Sequence, residues 1–587
     1  MSATVHPTRF LLQHILAVTD QTVLPPQSCW NVEGTALSAT LQAHSPGSVK
    51  LSGLFDIFPE SYWVHFTTLR SVFLCCKAQG DIALRILRRY SADGREICLR
   101  EWHSADPAAE TDIDLAIDLA DRNAPESYLV VEAICISANA SLKDMVWETS
   151  QPPTSQPRVG IAITTYNREP FLVANLARLH GRLAGARVIV VNHGRPGLQE
   201  RLTSQFTTDL DLHCIDQENK GGAGGFTRGM IEHHAMGDRS HVLLMDDDID
   251  LPADIIERLT AILNYLYPDI CVGGAMFDYH KRSQLFSAGD FLLPGSFGVG
   301  HIVPPNGCDI SEPSGVDFLT RIHRPDFNGW WCFAFPLTAL DEVGLPMPCF
   351  IRGDDVEFGY RLLQFGKPTL GWPGLAVWHL PFAEKAMPWH MFYDRRNSLF
   401  ANARHRRIGR FAAFRKLHGG FVHHLLRYDY EQVHAMTLGV AAFNQGPEAM
   451  AEWNCHNHAA LITATTPSSV DSVALTVELQ LHPRKLTGAL RSFWMVTRLW
   501  VDLLCPWRTR IPYRLPPGVI WRPDFHQRPA IVVERDQHGH PVRLYRYNWR
   551  KSCGAVIRYI PAVIGMLCRF HQKVPLSWPP DRESRDC

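Results

Sequence analysis

Between residues 157 and 245, short apolar segments alternate with segments of helical pattern, and this alternation limits the folds open to the chain. Strands are predicted at 159–164, 187–192 and 241–245, and helices at 170–183 and 225–236. Such alternation is typical of parallel strands joined by crossover helices. Ligands of these sheets bind outside the carboxyl ends of the strands, so the polar residues that follow each strand are candidate site residues.

The regions on either side have a different character. From about residue 30 to 148, runs rich in branched and aromatic residues are separated by polar turns, which predicts an N-terminal antiparallel β-sandwich over 1–150. The prolines at 152, 153 and 157 cannot feed a helix or a central strand, so we place a domain boundary there. A Rossmann-like α/β domain is predicted over 157–385. A mainly α-helical C-terminal region with a late β-hairpin is predicted over 386–587.

Composition excludes several classes of protein. Hydrophobic residues make up 46% and charged residues 20%, which is ordinary globular usage rather than that of a disordered or fibrous chain. With 58 basic and 59 acidic residues the net charge is -1, so we expect no nucleic-acid partner. The 15 cysteines include no CxxC pair, which favours mostly buried free thiols in a reducing compartment.

The N-terminal residues lack the small-residue cleavage site of a signal peptide, so we do not expect secretion. We expect a cytoplasmic location. No segment reaches the roughly 18 uninterrupted apolar residues of a membrane-spanning helix. Two apolar stretches that carry arginines, 490–507 and 555–570, leave a peripheral membrane contact open.

The strongest local signal is the strand at 241–245, which ends in Asp246, Asp247 and Asp248. Alternation along an extended backbone places Asp246 and Asp248 on one side and Asp247 on the other. Two carboxylates on one face suit Mg²⁺ or Mn²⁺. A solvated loop or a helix N-cap cluster is the alternative interpretation.

A glycine-rich segment follows Asn219 and Lys220, and the next helix is predicted to begin near Phe226. Glycines allow backbone N–H groups to approach a phosphate or sugar closely. The segment matches neither a P-loop nor a dinucleotide-binding fingerprint. A flexible surface loop is the alternative.

Three further motifs could carry chemistry. Trp330 and Trp331 could stack on a sugar or fill a core. Asp354 and Asp355 open a predicted helix, where one could act as general base or both could offset the helix dipole. His379 follows a short strand, where it could ligate a metal or simply pack.

In their order along the chain, these motifs resemble the inverting family-2 glycosyltransferases of GT-A fold. The order is a strand end with 165–168 (TYNR), a glycine loop, an Asp-rich strand end, a Trp pair, an Asp pair and a late histidine. Within that family the chain is similar to the polymerising galactofuranosyltransferases of mycobacterial galactan synthesis. The similarity extends from residues 58–63 (FPESYW) to about Leu399 and is weaker beyond it.

The resemblance implies a role for each candidate residue. It makes Asp355 the catalytic base, and it makes Asp246, Asp248 and His379 ligands of Mn²⁺ or Mg²⁺. The donor-binding residues that it implies are Arg168, His193, Asn219, Asp246 and Asp247, and the acceptor-binding residues are Trp330, Trp331 and Asp354. The chain departs from the family pattern at His193, where the family has Gln, and at Gly353, where it has Trp.

The implied reaction is a single displacement at the anomeric carbon, with inversion. The implied donor is UDP-galactofuranose, and the acceptor is a growing lipid-linked glycan that contains galactofuranose, reached from the inner face of the plasma membrane. Family members assemble as homo-oligomers. The alternatives are a family-2 transferase that uses another UDP-sugar in O-antigen or capsule synthesis, a non-catalytic carbohydrate-binding protein, and a metal-dependent hydrolase.

Overall fold

The computed structural model describes most of the chain. The described residues are 8–15, 30–35, 38–136, 139–183, 185–203, 205–206, 211–294, 298–382, 387–466, 488–504, 512–515, 531–535 and 541–575. The predicted boundary between 385 and 386 lies outside them.

The N-terminal part consists of antiparallel strands and one short helix. In chain order these are β1 (Phe10–His14), β2 (Trp30–Thr35), β3 (Ser38–Ala43), β4 (Gly47–Leu51), α1 (Glu60–Phe66), β5 (Ser71–Gln79), β6 (Ile82–Tyr90), β7 (Glu96–His103), β8 (Thr111–Asp118), β9 (Ser127–Cys135) and β10 (Ser141–Thr149). Within the described residues they form one sheet of order β2-β3-β10-β5-β8, with β1 beside β10, and a second of order β4-β9-β6-β7. The predicted antiparallel sheets are confirmed.

The central part alternates strands and helices, as predicted. Its elements are β11 (Val159–Thr165), α2 (Glu169–Leu179), β12 (Arg187–Asn192), α3 (Leu198–Thr203), β13 (Leu212–Asp216), α4 (Gly221–Met236), β14 (His241–Asp246), β15 (Ile249–Asp250), α5 (Ile255–Tyr265), β16 (Cys271–Asp278), β17 (Leu285–Ser287), β18 (Asp290–Leu292), β19 (Val299–His301), α6 (Pro313–Leu319), β20 (Cys332–Pro336), α7 (Ala339–Val343), α8 (Asp354–Gln364) and β21 (Thr369–His379).

One mixed sheet organises this part. Its order over the described strands is β13-β12-β11-β14-β20-β16-β21-β15, with β17 beside β16. Strands β13, β12, β11 and β14 are parallel, whereas β20 is antiparallel to both its neighbours. The chain first adds β12 and β13 on one side of β11 and then places β14 on the other side. The strand order therefore reverses at β11 and β14, where a crevice opens at their carboxyl ends.

The N-terminal sheets pack directly on this central part. Trp63 of α1 lies edge-on against Trp372 of β21, with ring centroids 5.3 Å apart. Both rings belong to one hydrophobic core that also holds side chains of the N-terminal sheets. In the proline-containing segment, the backbone N–H groups of Thr154 and Ser155 donate to Asn264 O over 2.9 and 3.1 Å. The segment is thus packed on the end of α5, and the domain boundary predicted there stays a prediction.

Helix α4 begins at Gly221, so the prediction that it begins near Phe226 is wrong. Two of its glycines face the sheet: a Cβ on Gly225 would clash with Thr164 Cγ2, and one on Gly229 would lie 2.7 Å from Ala162 Cβ. Close approach of α4 to β11 thus requires glycine at these positions, and this packing outweighs the low helix propensity of glycine.

Gly225→Ala is expected to lower the free energy of unfolding by about 1–3 kcal/mol, because the added methyl group overpacks the contact between α4 and β11. Gly222→Ala is the matched control, since a Cβ there meets nothing within 4 Å. It is expected to stabilise the protein by about 0.4–1 kcal/mol through the unfolded state. Urea denaturation followed by circular dichroism measures both. Equal stability of the two variants would contradict the packing argument.

The C-terminal part is mainly helical, as predicted. Its elements are α9 (His390–His405), α10 (Arg410–Leu426), α11 (Tyr430–Phe443), α12 (Pro447–Ala451), α13 (Cys455–Thr465), α14 (Gly488–Leu504), β22 (Pro512–Arg514), β23 (Ile531–Arg535), β24 (Pro541–Arg546) and α15 (Trp549–Arg569). Strands β23 and β24 pair antiparallel as the predicted hairpin, whose turn lies outside the described residues.

Among the helices that the structure describes, α15 alone has the length and apolar composition to cross a membrane, and 33% of its apolar window is buried inside the protein. A core helix of a soluble protein meets the same two criteria, so this observation by itself assigns no membrane span.

Candidate active site

The ends of β11 and β14 bring polar residues together at the crevice where the strand order reverses. In the parallel pairing of these strands, Thr164 lies opposite Asp246. After β11 the chain turns at Asn167, whose φ of 57° is left-handed, and Arg168 then precedes the first residue of α2. The sheet thus places Arg168 and the three aspartates at one edge.

Asp246, Asp248 and His379 form a group of metal-ligand type. One ligand atom from each residue lies within 4.8 Å of the other two. The pairing of β15 with β21 brings this about, because it sets Ile249 opposite His379. His379 Nε2 lies 3.4 Å from Asp248 Oδ1. The structure therefore brings together the three residues that the family resemblance implies as metal ligands.

The ring of His379 is oriented as a metal ligand requires. Its Nδ1 lies 2.7 Å from the carbonyl oxygen of Leu380, and because a carbonyl oxygen only accepts, Nδ1 carries the hydrogen. In the neutral ring Nε2 then presents its lone pair toward Asp248. A backbone partner for the second nitrogen is the usual arrangement around a metal-ligating histidine. The donor set of two carboxylates and one imidazole fits Mn²⁺ or Mg²⁺.

Asp247 lies beyond the end of β14 at Asp246, so the alternation predicted for the three aspartates does not extend to it. Its Oδ2 accepts a hydrogen bond of 2.7 Å from Thr165 Oγ1, and its backbone oxygen accepts one of 3.0 Å from Asn175 Nδ2. Burial raises the pKa of the Asp247 carboxyl to about 7. Arg168 Nη1 contacts Asp248 and lies 3.6 Å from Asp247 Oδ1. Since its side chain is 42% exposed, this guanidinium is also open to an anionic ligand.

The two other predicted donor-binding residues lie near the start of α4. Asn219 Oδ1 accepts a hydrogen bond of 2.9 Å from Gly221 N. His193 is buried, its backbone N–H donates to Thr165 O, and its Nε2 lies 3.0 Å from Gln217 Nε2. Burial, with a smaller effect of Lys220, lowers the pKa of His193 to about 4, so this ring is neutral.

The segment 350–352, which precedes the helix with the aspartate pair, contacts the start of α4. Phe350 O accepts a hydrogen bond of 3.1 Å from Ala223 N of α4. From α9, Asn397 Nδ2 donates to the backbone oxygens of Ile351 and Arg352 over 3.0 and 2.7 Å. Phe350 and Arg352 have left-handed φ angles of 65° and 68°, which surrounding contacts must hold in place. The entry to α8 is thus fixed from two sides.

Asp354 and Asp355 are the first two residues of α8, as predicted. Burial raises the pKa of both carboxyl groups. Asp246 further raises the pKa of Asp354, whereas Asp354 and Asp290 further raise that of Asp355. The aspartate pair therefore lies within electrostatic reach of the metal-ligand group, and a carboxylate of raised pKa is a stronger base.

A buried charge network holds α8 against α9. Glu357 lies 2.9 Å from Arg361, 3.1 Å from Arg404 and 2.8 Å from His405. Burial by itself would raise the pKa of Glu357. The charges of Arg361 and Arg404 and the hydrogen bond with His405 lower this pKa to about 2. Glu357 lies in the first turn of α8 together with the aspartate pair, so this network holds the turn that carries both aspartates.

The tryptophan pair is buried. Trp331 Nε1 donates to Gly274 O over 2.9 Å, and Trp330 packs edge-on against Phe226 and Phe358. Core packing, the alternative stated for this pair, is therefore what the structure has. A role of Trp330 and Trp331 in acceptor binding stays a prediction.

Asp290 and His301 were not predicted as site residues, because no sequence motif marks them. Asp290 is buried, accepts a hydrogen bond of 2.7 Å from Ser287 Oγ and lies 2.7 Å from His301 Nδ1. Its charge acts on Asp355. Beside this pair, Phe286 packs on His301, and Phe382 lies between Phe286 and His379. The sequence feature that could have indicated Asp290 is its position as an acidic residue within the short apolar run 289–292.

The mixed sheet, with acidic residues at its order reversal, defines an α/β protein with a GT-A-like sheet. Residues 157–398 match the profile of the family described as glycosyltransferase like family 2. These residues form a glycosyltransferase family 2 domain, and the chain is a glycosyltransferase.

The relatives are galactofuranosyltransferases. The chain is 28% identical over 435 residues to galactofuranosyltransferase GlfT2 of Mycobacterium tuberculosis, which covers 70% of this chain and 67% of the relative. It is 29% identical over 216 residues to galactofuranosyltransferase GlfT1 of Mycolicibacterium smegmatis, and this match covers 35% of this chain and 65% of the relative. The chain thus spans about two thirds of the length of these relatives.

Among solved structures, a mannosyltransferase of Pyrobaculum calidifontis in complex with GDP-Man and Mn²⁺ matches 53% of this chain and 81% of its own, at 18% identity. The TM-score of this match is 0.31.

Proposed function

We propose that this chain transfers galactofuranose, with inversion, from UDP-galactofuranose to a hydroxyl of a growing lipid-linked glycan that contains galactofuranose. The observation that carries the proposal is the convergence of Asp246, Asp248 and His379 at the reversal of the strand order, within electrostatic reach of the aspartate pair of α8. The similarity to galactofuranosyltransferases supports this choice of donor over other UDP-sugars.

The proposed mechanism assigns one step to each group. Asp246, Asp248 and His379 would hold Mn²⁺ or Mg²⁺, which when bound supplies positive charge against the leaving diphosphate. Arg168, whose guanidinium is partly exposed, binds the same diphosphate. Asp355 is partly exposed and accepts the proton of the attacking acceptor hydroxyl at its carboxylate. Because attack and departure occur on opposite sides of the anomeric carbon, configuration inverts.

The remaining donor and acceptor contacts follow the same division. We assign Asn219, His193 and Asp247 to the donor side, because they lie at the ends of β12 and β14 and at the start of α4. Asp354, beside the base, is assigned to the acceptor together with Trp330 and Trp331. The neutral ring of His193 carries one N–H group. Its hydrogen bond with Gln217 at Nε2 determines which ring nitrogen carries that hydrogen and can donate it to the nucleotide sugar.

The experiment is a donor panel. The purified chain is incubated with Mn²⁺, a synthetic galactofuranosyl acceptor and a set of UDP-sugars that includes UDP-galactofuranose, and products are followed by mass spectrometry. Extension of the acceptor by galactofuranose is expected. If the chain transfers sugar only from another UDP-sugar, the proposed donor is wrong and the proposed mechanism stands. Glycan binding that Asp246→Ala leaves intact, with no UDP release from any donor, would favour a carbohydrate-binding protein.

Asp354→Asn is expected to move the low-pH limb of kcat/KM to lower pH. The rate rises with pH as Asp355 loses its proton, and the negative charge of Asp354 raises the pKa of Asp355. Removing that charge therefore lowers the pKa of the base. Initial rates from about pH 5 to about pH 9 measure the shift. A limb that stays in place or moves to higher pH would contradict the coupling of the two carboxyls.

We further propose that the protein is cytoplasmic, homo-oligomeric and peripheral on the inner face of the plasma membrane. The support lies in exposed apolar residues of the last two long helices: Phe493, Trp500 and Leu504 on α14, and Ile557, Ile560 and Ile564 on α15. The arginines beside them suit an anionic surface. Cosedimentation with anionic liposomes at low salt is expected, and its absence would contradict direct docking. Size-exclusion chromatography with light scattering measures the subunit number.

We also propose the three-domain division at 1–150, 157–385 and 386–587, with the N-terminal sheets packed as a β-sandwich. Side chains of both sheets, such as Leu74 and Leu84, share one core, which supports the sandwich. Limited proteolysis is expected to cut first within 150–157 or near 385. First cleavage inside a predicted domain would contradict the division.

A further inference from the structure

A second group of metal-ligand side chains lies outside the candidate active site. One ligand atom each of Glu218, Cys455 and His456 lies within 4.8 Å of the other two, and the described residues contain one other such group, that of Asp246. Glu218 stands in the segment between β13 and α4, whereas Cys455 and His456 are the first two residues of α13. Tertiary folding, rather than proximity in sequence, brings these three side chains together.

The separations suit direct coordination. Cys455 Sγ lies 3.4 Å from Glu218 Oε1. Around a tetrahedral Zn²⁺ with bonds of about 2.0–2.3 Å, neighbouring ligand atoms are about 3.3–3.8 Å apart. The carboxylate and the thiol are thus already spaced as two ligands of one ion. Glu218 and His456 are exposed, so rotation of their side chains can close the remaining distance.

The backbone under two of the ligands is fixed. Asn454 caps α13, its Oδ1 accepting hydrogen bonds of 3.1 Å from the backbone N–H groups of His456 and Asn457. In return, the side chain of Asn457 accepts from Asn454 N. This reciprocal capping box sets the direction of the first turn of α13, and with it the positions of Cys455 and His456.

We propose that Glu218, Cys455 and His456 form a second metal site, selective for a thiophilic divalent cation such as Zn²⁺. A sulfur, a nitrogen and an oxygen ligand favour Zn²⁺ over Mg²⁺ and Mn²⁺, which prefer oxygen. Three protein ligands leave a fourth position to water. As the sulfur–metal bond forms, the thiol proton leaves to solvent.

The site would tie the C-terminal helices to the donor side of the crevice. Glu218 directly precedes Asn219, whose side chain accepts a hydrogen bond from the first residue of α4. A bound cation therefore restrains the segment that carries Asn219, and the expected effect is a changed KM for the donor. This consequence rests on the proposed function, whereas metal binding itself does not.

The test uses Co²⁺ as a spectroscopic probe of the full-length protein in the presence of Mn²⁺. A thiolate-to-cobalt charge-transfer absorption is expected, reversed by one equivalent of Zn²⁺. Cys455→Ser is expected to abolish it, and Glu218→Gln and His456→Ala to weaken binding by about 10-fold or more. Cys98→Ser, which removes an exposed thiol of β7, is the matched control. No thiolate absorption, or one that survives Cys455→Ser, would overturn the site.

Asp246→Ala separates this proposal from the proposed function. The variant is expected to lose sugar transfer while keeping the thiolate absorption of the second site. If the wild-type protein transfers no sugar but shows the absorption, the metal site holds and the proposed function fails. If Asp246→Ala loses the absorption, the thiolate signal depends on the first group, and an independent second site is rejected.

Discussion

Asp355→Asn is expected to lower kcat for sugar transfer by about 10²–10⁴-fold, the usual contribution of a general base. The substitution keeps the size and the hydrogen-bonding shape of the side chain but removes its ability to accept the hydroxyl proton. Asp355 Oδ1 accepts a local hydrogen bond of 2.8 Å from Val356 N at the start of α8, and the side-chain oxygen of an asparagine can accept the same bond. Donor binding, measured by UDP titration, is expected to stay near the wild-type value. Initial rates with UDP-galactofuranose measure the loss.

Asp341→Asn is the matched control for this prediction. Asp341 is an exposed carboxylate of α7, paired at 2.9 Å with His234 on the surface. Its substitution is expected to change neither rate nor stability by more than about 0.5 kcal/mol. If Asp355→Asn retained wild-type kcat, another group would be the base, and Asp290, whose charge acts on the same carboxyl, would be the next to test.

Three of the parallel strands, β11, β12 and β14, were predicted closely from the sequence, whereas β13 was not predicted. Strand β12 was predicted and found at Arg187–Asn192, and β14 extends one residue beyond its predicted end. Strands buried on both faces read as continuous apolar runs bounded by polar residues, so their limits are visible in one sequence. The start of α4 could not be predicted from such a pattern, because its first residues are mostly glycines. Their low helix propensity predicted a loop, whereas the contact of Gly225 with Thr164 demands glycine within a helix.

The candidate site was predictable to the extent that local geometry determines it. The apolar strand β14 and the three aspartates that close it were sufficient to predict an acidic site, but β14 ends at Asp246, so strand alternation does not describe Asp247 and Asp248. Nothing in the spacing connects His379 to these residues; the resemblance to a known family did so, and the antiparallel pairing of β15 with β21 is the physical cause. Asp290 and His301 were missed because their pairing arises between two short strands, β18 and β19, that no motif marks.

His379→Ala is expected to weaken Mn²⁺ binding by at least about 10–100-fold, since loss even of an outer partner of a metal ligand costs that much. The hydrogen bond from its Nδ1 to Leu380 O fixes the ring with Nε2 toward Asp248, so no other described side chain of the group can replace this nitrogen. Activity is expected to fall in parallel and to be restored only in part by excess Mn²⁺. Electron paramagnetic resonance of free Mn²⁺ measures the affinity.

His213→Ala is the matched control, because His213 is an exposed histidine of β13 that pairs with the surface carboxylate of Asp211. Asp248→Asn adds a second arm. It removes one carboxylate ligand and also removes the charge of one acidic contact of Arg168, so both the metal and the position of the diphosphate-binding arginine are affected. Its loss of activity is therefore expected to exceed that of His379→Ala. If both variants bound Mn²⁺ as tightly as the wild type, the metal would have to lie elsewhere, and the grouping of these side chains would serve only to balance charge around Arg168.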